Sequence, residues 1–239
     1  MRLASLGRGG VAEVHGETLR VLEAPSFRDF YAFGGHASTG AALRGVELAA
    51  HWYAEPAFYF SSPGSIVGPG EPITRPKGAT RLDFELEIAA VIGAESDIAG
   101  FTLLNDWSAR DLQRAEMVVG LGPSKGKDFG TSLGPILVTP DELPYEEGRL
   151  HLTASVIHNG SEITRSGASA QHHTWPAIVA HASRGTRGLR PGDLLGSGTL
   201  NRGCLLELGP LDGEARFVEP GDVVALHADE LGTLETPVV

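Results

Sequence analysis

The octapeptide Arg81-Leu-Asp-Phe-Glu-Leu-Glu-Ile88 alternates polar and apolar side chains without a break. Successive side chains of a strand point to opposite faces. The pattern therefore predicts a strand with Asp83, Glu85 and Glu87 on one face and Phe84, Leu86 and Ile88 on the other. The plain reading is a half-buried strand with its polar side in water. Three acids in a row repel one another, however, and glutamate is a poor strand former, so a hard divalent cation seated on that face would resolve the conflict. The single cysteine, Cys204, excludes C-x-x-C metal motifs and an internal disulfide, so any metal is expected to be held by oxygen or imidazole, in a reducing, cytoplasmic setting.

The chain of 239 residues is long enough to bury the apolar faces of such strands without staples. Its 19 Lys and Arg against 30 Asp and Glu give a net charge of -11, which repels phosphate backbones and anionic lipid, so nucleic acid is not expected as a partner. No stretch reaches the roughly 18 apolar residues of a membrane helix, and Met1 to Val21 lacks the apolar run of a signal peptide, so neither membrane nor secretion is expected. The 32 Gly and 15 Pro point to many tight turns between strands.

Residues 1–24 read as a short N-terminal β-meander, with runs at Arg2 to Leu6, Val11 to Val14 and Thr18 to Leu22. Residues 25–239 read as one α+β body with a mixed, mostly antiparallel sheet. In it, Ser26 and Asp29 resemble a capping box that opens a helical turn through Phe27, Phe30 and Tyr31, stopped at Gly34-Gly35. An alanine-rich helix follows over Ala37 to Trp52. The segment Pro63 to Gly78 reads as an extended loop. Strands are expected near Arg81 to Ile92, Gly100 to Leu104, Pro135 to Thr139, Leu150 to His158, Cys204 to Leu208 and Val223 to Leu226. Helices are expected over Ser108 to Met117 and over Trp175 to Ala182, the latter with Pro176 in its first turn, and Asn159-Gly160 supplies a hairpin turn.

A second acid stands at the end of an apolar strand, in Phe101-Thr-Leu-Leu-Asn-Asp106, followed by a helix on which Asp106, Arg110 and Gln113 are spaced to share one stripe. By itself this suits an N-cap aspartate with a solvated arginine. The loop Gly120-Leu-Gly-Pro-Ser-Lys-Gly-Lys-Asp128 has the wrong glycine interval for a phosphate cradle, and Asp128 stands where Ser or Thr would follow the lysine.

Taken together, Asn105-Asp-Trp-Ser-Ala-Arg-Asp-Leu-Gln113, Gly122-Pro123, Gly126-Lys-Asp-Phe-Gly-Thr131 and Asp83-Phe-Glu-Leu-Glu87 resemble the motifs of the fumarylacetoacetate hydrolase family, and the likeness runs from about Asp29 to the C-terminus. The resemblance implies a mixed β-roll of the family's C-terminal domain type and a homodimer. It places metal ligands on Asp29, Glu85, Glu87 and Asp106, an oxygen-only set suited to Mg²⁺, with Ca²⁺ and Mn²⁺ as alternatives. It places the catalytic histidine on His36, its carboxylate partner on Glu207 and a catalytic lysine on Lys127. Substrate contacts fall on Tyr31, Tyr59, Arg110, Gln113 and Thr199. The chain departs from the animal enzyme at Met117, where that enzyme has a tyrosine, and at Gly45, where the family arginine is replaced although Arg44 is adjacent. The loop leading to Lys127 is one residue longer.

The implied activity is metal-dependent hydrolysis of a carbon-carbon bond in a 1,3-diketo acid, of fumarylacetoacetate, fumarylpyruvate or acylpyruvate type. The alternative in the same superfamily is decarboxylation or isomerisation of a 2-keto or 2-hydroxydienoic diacid, which uses no attacking water. A non-catalytic metal-binding protein is a third possibility, excluded if diketo acids are turned over.

Overall fold

The structure is a computed structural model that describes residues 3–5, 11–14, 17–20, 23–209 and 217–239. An eight-stranded sheet forms its centre, in the order Leu3–Ser5, Thr131–Val138, Ile98–Asp106, Leu86–Ile92, Leu194–Gly196, Phe27–Phe30 and Phe58–Ser61. The short strand Ile66–Val67 completes it beside Thr131 and Ser132. Leu194–Gly196 runs parallel to Phe27–Phe30, as Ile66–Val67 does to its neighbour, and the other pairings are antiparallel. A four-stranded antiparallel sheet of Ser161–Gly167, Thr153–His158, Val223–Ala228 and Gly232–Pro237 packs over it. With few helices and a mixed, mostly antiparallel sheet, this is the α+β roll expected of the sequence.

The central sheet is apolar on both faces. One face contributes Phe30, Ile88, Ala90, Ile92, Phe101, Leu103 and Leu195 to the main core, where they meet Val156, Val224, Leu226 and Leu234 of the second sheet and Trp175 and Ile178 of the helix Trp175–Ser183. The other face carries a smaller core of Phe27, Ala89, Val91, Leu104, Leu133, Leu137 and Leu194. By the period of two, Asp29, Glu87 and Asp106 lie on this second face, continuing it beyond the apolar rows. The sheet thus changes from core to polar site along its strands.

Several local expectations are corrected by long-range pairing. Residues Phe27–Phe30 form a strand and not a helical turn, because they are paired on both sides, with Leu194–Gly196 and with Phe58–Ser61. Gly34-Gly35 begins a helix, Gly34–Leu43, and does not stop one. The expected helix over Ala37 to Trp52 is two helices, Gly34–Leu43 and Ala50–Ala54, parted where Gly45 takes φ +69°. Cys204 to Leu208 is not a strand. Leu205–Leu208 is a turn of helix whose Leu205 and Leu206 N–H groups donate to the Asp83 carboxylate, at 2.8 and 3.1 Å.

The strand read as Arg81 to Ile92 is divided into Leu82–Asp83, paired with Ser108–Ala109, and Leu86–Ile92. The expected Leu150 to His158 strand begins only at Thr153, because Arg149–Leu150 turns back to pair with Tyr145–Glu146. Within the glycine- and proline-rich loop, Ile66–Val67 joins the sheet and Ile73 bridges to Val238. At the N-terminus, Val11–Val14 and Glu17–Arg20 form the expected hairpin, whereas Leu3–Ser5 pairs with Thr131–Val138 of the central sheet.

Other local readings are met. Asn159 and Gly160 both take positive φ, +49° and +80°, at the tip of the hairpin from Thr153–His158 to Ser161–Gly167, the conformation an Asn-Gly turn supplies. Pro176 stands in the first turn of Trp175–Ser183, which Thr174 caps through a hydrogen bond from Ala177 N–H. No helix among the described residues is long and apolar enough to cross a membrane.

Phe101 is fully buried, its ring 5.1 Å from that of Trp175 and 5.4 Å from that of Tyr145. Replacing it with alanine is expected to cost about 3–5 kcal/mol in denaturant unfolding, whereas Leu121→Ala, at a residue 91% exposed, should stay within about 0.5 kcal/mol.

Candidate active site

The strands deliver three carboxylates to one point. Asp29 on Phe27–Phe30, Glu87 on Leu86–Ile92 and Asp106 at the end of Ile98–Asp106 each place an oxygen within 4.8 Å of the others, and all three are buried. Gly196 on the strand between Asp29 and Glu87 makes room for this. A Cβ there would lie 2.2 Å from Asp29 Oδ1 and 3.1 Å from Glu87 Oε2. Glu87 Oε2 accepts from Gly198 N–H at 3.0 Å, and the Thr199 hydroxyl donates to Glu87 Oε1 at 3.5 Å. The Tyr59 hydroxyl, across the sheet from Asp29, donates to Asp106 Oδ2 at 2.6 Å. Asp29 Oδ1 and Asp106 Oδ1 are buried without a hydrogen-bond partner.

Burial, with the negative charge of Asp106 beside it, raises the Asp29 carboxyl well above its ordinary range; burial and the charges of Asp29 and Asp106 do the same to Glu87. Asp29 and Glu87 are therefore harder to ionise than exposed acids. A divalent cation fits it on three counts: the donors are all oxygen, two of those oxygens are buried and unpartnered, and the glycine opposite leaves the space free.

Glu85 takes a different set of partners. Its carboxylate pairs with Lys127 Nζ at 2.5 Å and with Arg110 at 2.7 Å. Burial pushes this carboxyl up, but Lys127 and Arg110 outweigh it and hold Glu85 below the carboxylate range. Lys127 also pairs with Asp106 Oδ2 at 2.5 Å, and burial with these two acids around it leaves its ammonium with a net upward shift. Arg110, at the start of the helix Arg110–Met117, donates through Nε to Asp83 at 2.8 Å and through Nη1 to Gln113 Oε1 at 3.2 Å. Asp83 is thereby occupied by Arg110 and by the backbone of Leu205 and Leu206. A cleft of about 290 Å³ opens beside Lys127, lined also by Tyr59, Phe60, Pro123 and Ser124.

His36 lies on the first turn of Gly34–Leu43, with Nδ1 2.9 Å from Glu207 Oε2. Its backbone N–H, which has no partner within the helix, donates to Asn201 Oδ1 at 3.1 Å. The Tyr31 ring meets the imidazole edge-on at 5.2 Å, and Trp52 fixes the Tyr31 backbone by donating its indole N–H to Tyr31 O at 2.7 Å. The imidazole lies near enough to Glu85 for the two to interact electrostatically, which places it on the carboxylate side of the site.

The structure thus gathers Asp29, Glu87, Asp106, Tyr59 and Thr199 around one point, sets Glu85 with Lys127, Arg110 and Gln113 beside it, and places His36, Glu207 and Tyr31 next to these. Three contributors were not singled out by sequence reasoning. Asn105 Oδ1 accepts from Glu85 N–H at 2.9 Å; its place beside Asp106 in the motif was the available signal. Asn201 and Gly196 act through tertiary contacts that no local pattern reports. Arg44, noted only as a neighbour of Gly45, lies beside the Tyr31 hydroxyl and hydrogen-bonds to it.

Comparison with known proteins identifies the family of the chain. The fumarylacetoacetate (FAA) hydrolase C-terminal family matches residues 26–239. The fumarylacetoacetase of Arabidopsis thaliana is 34% identical over 83% of the chain, and that of Homo sapiens 31% identical over 84%. The matches cover 63% and 64% of those relatives, so the chain spans a little under two thirds of their length. Among solved structures, fumarylpyruvate hydrolase from Pseudomonas aeruginosa, in complex with Mn²⁺ and pyruvate, superposes with a TM-score of 0.73 at 23% identity, covering 95% of this chain and 94% of that one. A 5-carboxymethyl-2-hydroxymuconate delta-isomerase from Mycobacterium smegmatis superposes with a TM-score of 0.69 at 25% identity, covering 100% and 97%. The chain belongs to the fumarylacetoacetate hydrolase family.

Proposed function

We propose that the chain is a metal-dependent hydrolase that cleaves a carbon-carbon bond in a 1,3-diketo acid of fumarylacetoacetate, fumarylpyruvate or acylpyruvate type. The observation that carries this reading is a buried trio of carboxylates with unpartnered oxygens standing beside a histidine in contact with a carboxylate. Asp29, Glu87 and Asp106 would hold the cation, Mg²⁺ first and Mn²⁺ or Ca²⁺ as alternatives, with Glu85 as a fourth donor once freed from Lys127. A bound divalent cation supplies the positive charge on which an enolate leaving group is tolerable.

The chain's own groups divide the remaining work. Lys127 and Arg110 bring two buried positive charges to the side of the site where an anionic substrate and its developing charge are held. Gln113, Tyr31, Tyr59 and Thr199 offer hydrogen bonds at its edges. Glu207 faces His36 Nδ1 and stabilises a proton there, which leaves Nε2 free to take the proton of the attacking water. Because His36 is 8% exposed, bulk water competes little for that nitrogen. Small diketo acids are the partners in this reading, and the homodimer and cytoplasmic setting implied by the resemblance go with it.

Isomerisation or decarboxylation of a 2-keto or 2-hydroxydienoic diacid is the second reading, favoured by the likeness to the isomerase fold. The His36–Glu207 pair favours hydrolysis, because neither alternative consumes water. With fumarylpyruvate or fumarylacetoacetate in isotopically labelled water, the new carboxylate should carry solvent oxygen. A product without label would overturn the hydrolase reading. His36→Ala should lower kcat by about 10²–10⁴ while Mg²⁺ binding, read by calorimetry, stays intact; unchanged turnover would remove His36 from the role given it.

The metal site makes a pH-dependent expectation. Burial raises Asp29 and Glu87, so the folded apo protein keeps protons that the unfolded chain releases near pH 4. These two groups stabilise the apo protein at low pH, and their contribution is lost as pH climbs from that value through the raised ones. A cation must displace those protons. The rise in melting temperature caused by Mg²⁺ should therefore grow as pH increases above about 4, and Asp29→Asn should abolish the growth. A pH-independent increment would count against these ligands.

A further inference from the structure

Next to the oxygen cluster the structure gathers a second set of donors with different chemistry. His36, Cys204 and Glu207 each offer one ligand atom, and the three atoms lie within 4.8 Å of one another. Cys204 and Glu207 stand three residues apart at the start of the Leu205–Leu208 turn, so both face the same side. Cys204 Sγ is 3.7 Å from Glu207 Oε2, and that same oxygen is 2.9 Å from His36 Nδ1. Despite the short approach, the buried Nδ1 makes no directed hydrogen bond, and the His36 side chain is only 10% exposed. A buried imidazole nitrogen thus lies 2.9 Å from a carboxylate oxygen that also faces a thiol, without a directed hydrogen bond to either.

One nitrogen, one sulfur and one oxygen make a set unlike the all-oxygen cluster. Thiolate and imidazole suit a borderline-soft ion and are poor ligands for Mg²⁺ or Ca²⁺. Tetrahedral zinc, with bonds of about 2.0–2.3 Å, separates its donors by roughly 3.3–3.8 Å; the 3.7 Å between Cys204 Sγ and Glu207 Oε2 matches this, and the 2.9 Å between His36 Nδ1 and Glu207 Oε2 must widen by a few tenths of an ångström. Three protein ligands with an open fourth position is also the pattern of an accessible zinc site. A thiolate and a carboxylate together balance a divalent charge, so the filled site is neutral and its burial is inexpensive. Burial and the charges of Asp83, Glu85 and Glu207, opposed by Arg110, push the Cys204 thiol up, so an incoming ion must displace its proton.

We propose that His36, Cys204 and Glu207 form a second cation site, selective for a borderline-soft divalent ion such as Zn²⁺, whose occupation arrests the catalytic imidazole. On binding, the Cys204 S–H bond breaks as the sulfur-metal bond forms, and the proton leaves to solvent; no oxidant or reductant takes part. His36 ligates through the Nδ1 lone pair, which forces the ring proton onto Nε2. That is the nitrogen assigned to receive the proton of water, so the base is blocked while the oxygen site stays filled. The arrest rests on the hydrolase reading; the site itself does not.

The test titrates the Mg²⁺-saturated protein with Co²⁺ as a coloured substitute for Zn²⁺. A thiolate-to-cobalt charge-transfer band should appear in the near ultraviolet, disappear on adding Zn²⁺, and be absent in Cys204→Ser, whose affinity for Zn²⁺ at this site should fall by more than about tenfold, since even lost outer-shell partners cost 10–100-fold. X-ray absorption at the zinc edge of the unmodified protein carrying one equivalent of Zn²⁺ should show a sulfur neighbour at about 2.3 Å, a readout that does not depend on any variant folding. A zinc shell without sulfur, or a band that survives Cys204→Ser, would overturn the site. Zn²⁺ should inhibit diketo-acid hydrolysis by the unmodified protein and inhibit Cys204→Ser at least about tenfold less, each relative to its own Mg²⁺ rate. Equal inhibition of the two would overturn the arrest. If the protein proves not to hydrolyse diketo acids, the cobalt and X-ray readouts still decide the site.

Discussion

Like charge held out of water is the constraint on which the rest of the structure turns. Asp29, Asp83, Glu85, Glu87 and Asp106 are all buried, and the cations buried among them are Lys127 and Arg110. Two carboxylates 4.8 Å apart, the limit set by the trio, repel by on the order of 3 kcal/mol at an effective dielectric of about 20. Three such pairs fully ionised would cost as much as the whole net stability of a typical domain, roughly 5–15 kcal/mol. The fold answers in two ways. It places Lys127 and Arg110 against Glu85 and Asp83, and burial raises Asp29 and Glu87, which eases the repulsion among the remaining acids.

The sheet makes this tolerable because the site is a continuation of its core. Phe27 precedes Asp29 on the same face, Ala89 follows Glu87, and Leu104 precedes Asp106. Each strand spends part of its length packing and the rest presenting an acid, with a period of two throughout. The acids therefore inherit the rigidity of a paired sheet, which sets their oxygens close together without help from loops. Gly196 is the point where core and site meet, since its missing side chain is what allows Asp29 and Glu87 to approach from both flanking strands.

This division explains what could be read from the chain alone. The alternation around Glu85 and Glu87, the Asn159-Gly160 turn and the helix begun by Pro176 are local signals, and the structure contains all three. Phe27–Phe30 was misread because its strand character comes from two partners far along the chain, Leu194–Gly196 and Phe58–Ser61, which override the capping-box pattern. The Cys204 to Leu208 helix depends on a distant acid, Asp83, accepting its first N–H groups. Alternation likewise could not separate the three acids of Arg81 to Ile88. They part company because the strand breaks after Asp83, giving one residue to Arg110, one to Lys127 and one to the oxygen cluster.

The imidazole is positioned by other means. Its helix, Gly34–Leu43, begins without a side-chain cap of its own and is held from outside, by Asn201 at the His36 N–H and by Tyr31, which meets the imidazole edge-on and is itself met edge-on by Trp52. Nearby Tyr31 meets the ring, while Asn201 and Glu207, far along the chain, hold its backbone N–H and face its Nδ1, so its placement combines local and tertiary contacts. The acids thus stand on paired strands, whereas the imidazole stands on a helix positioned by contacts from outside it.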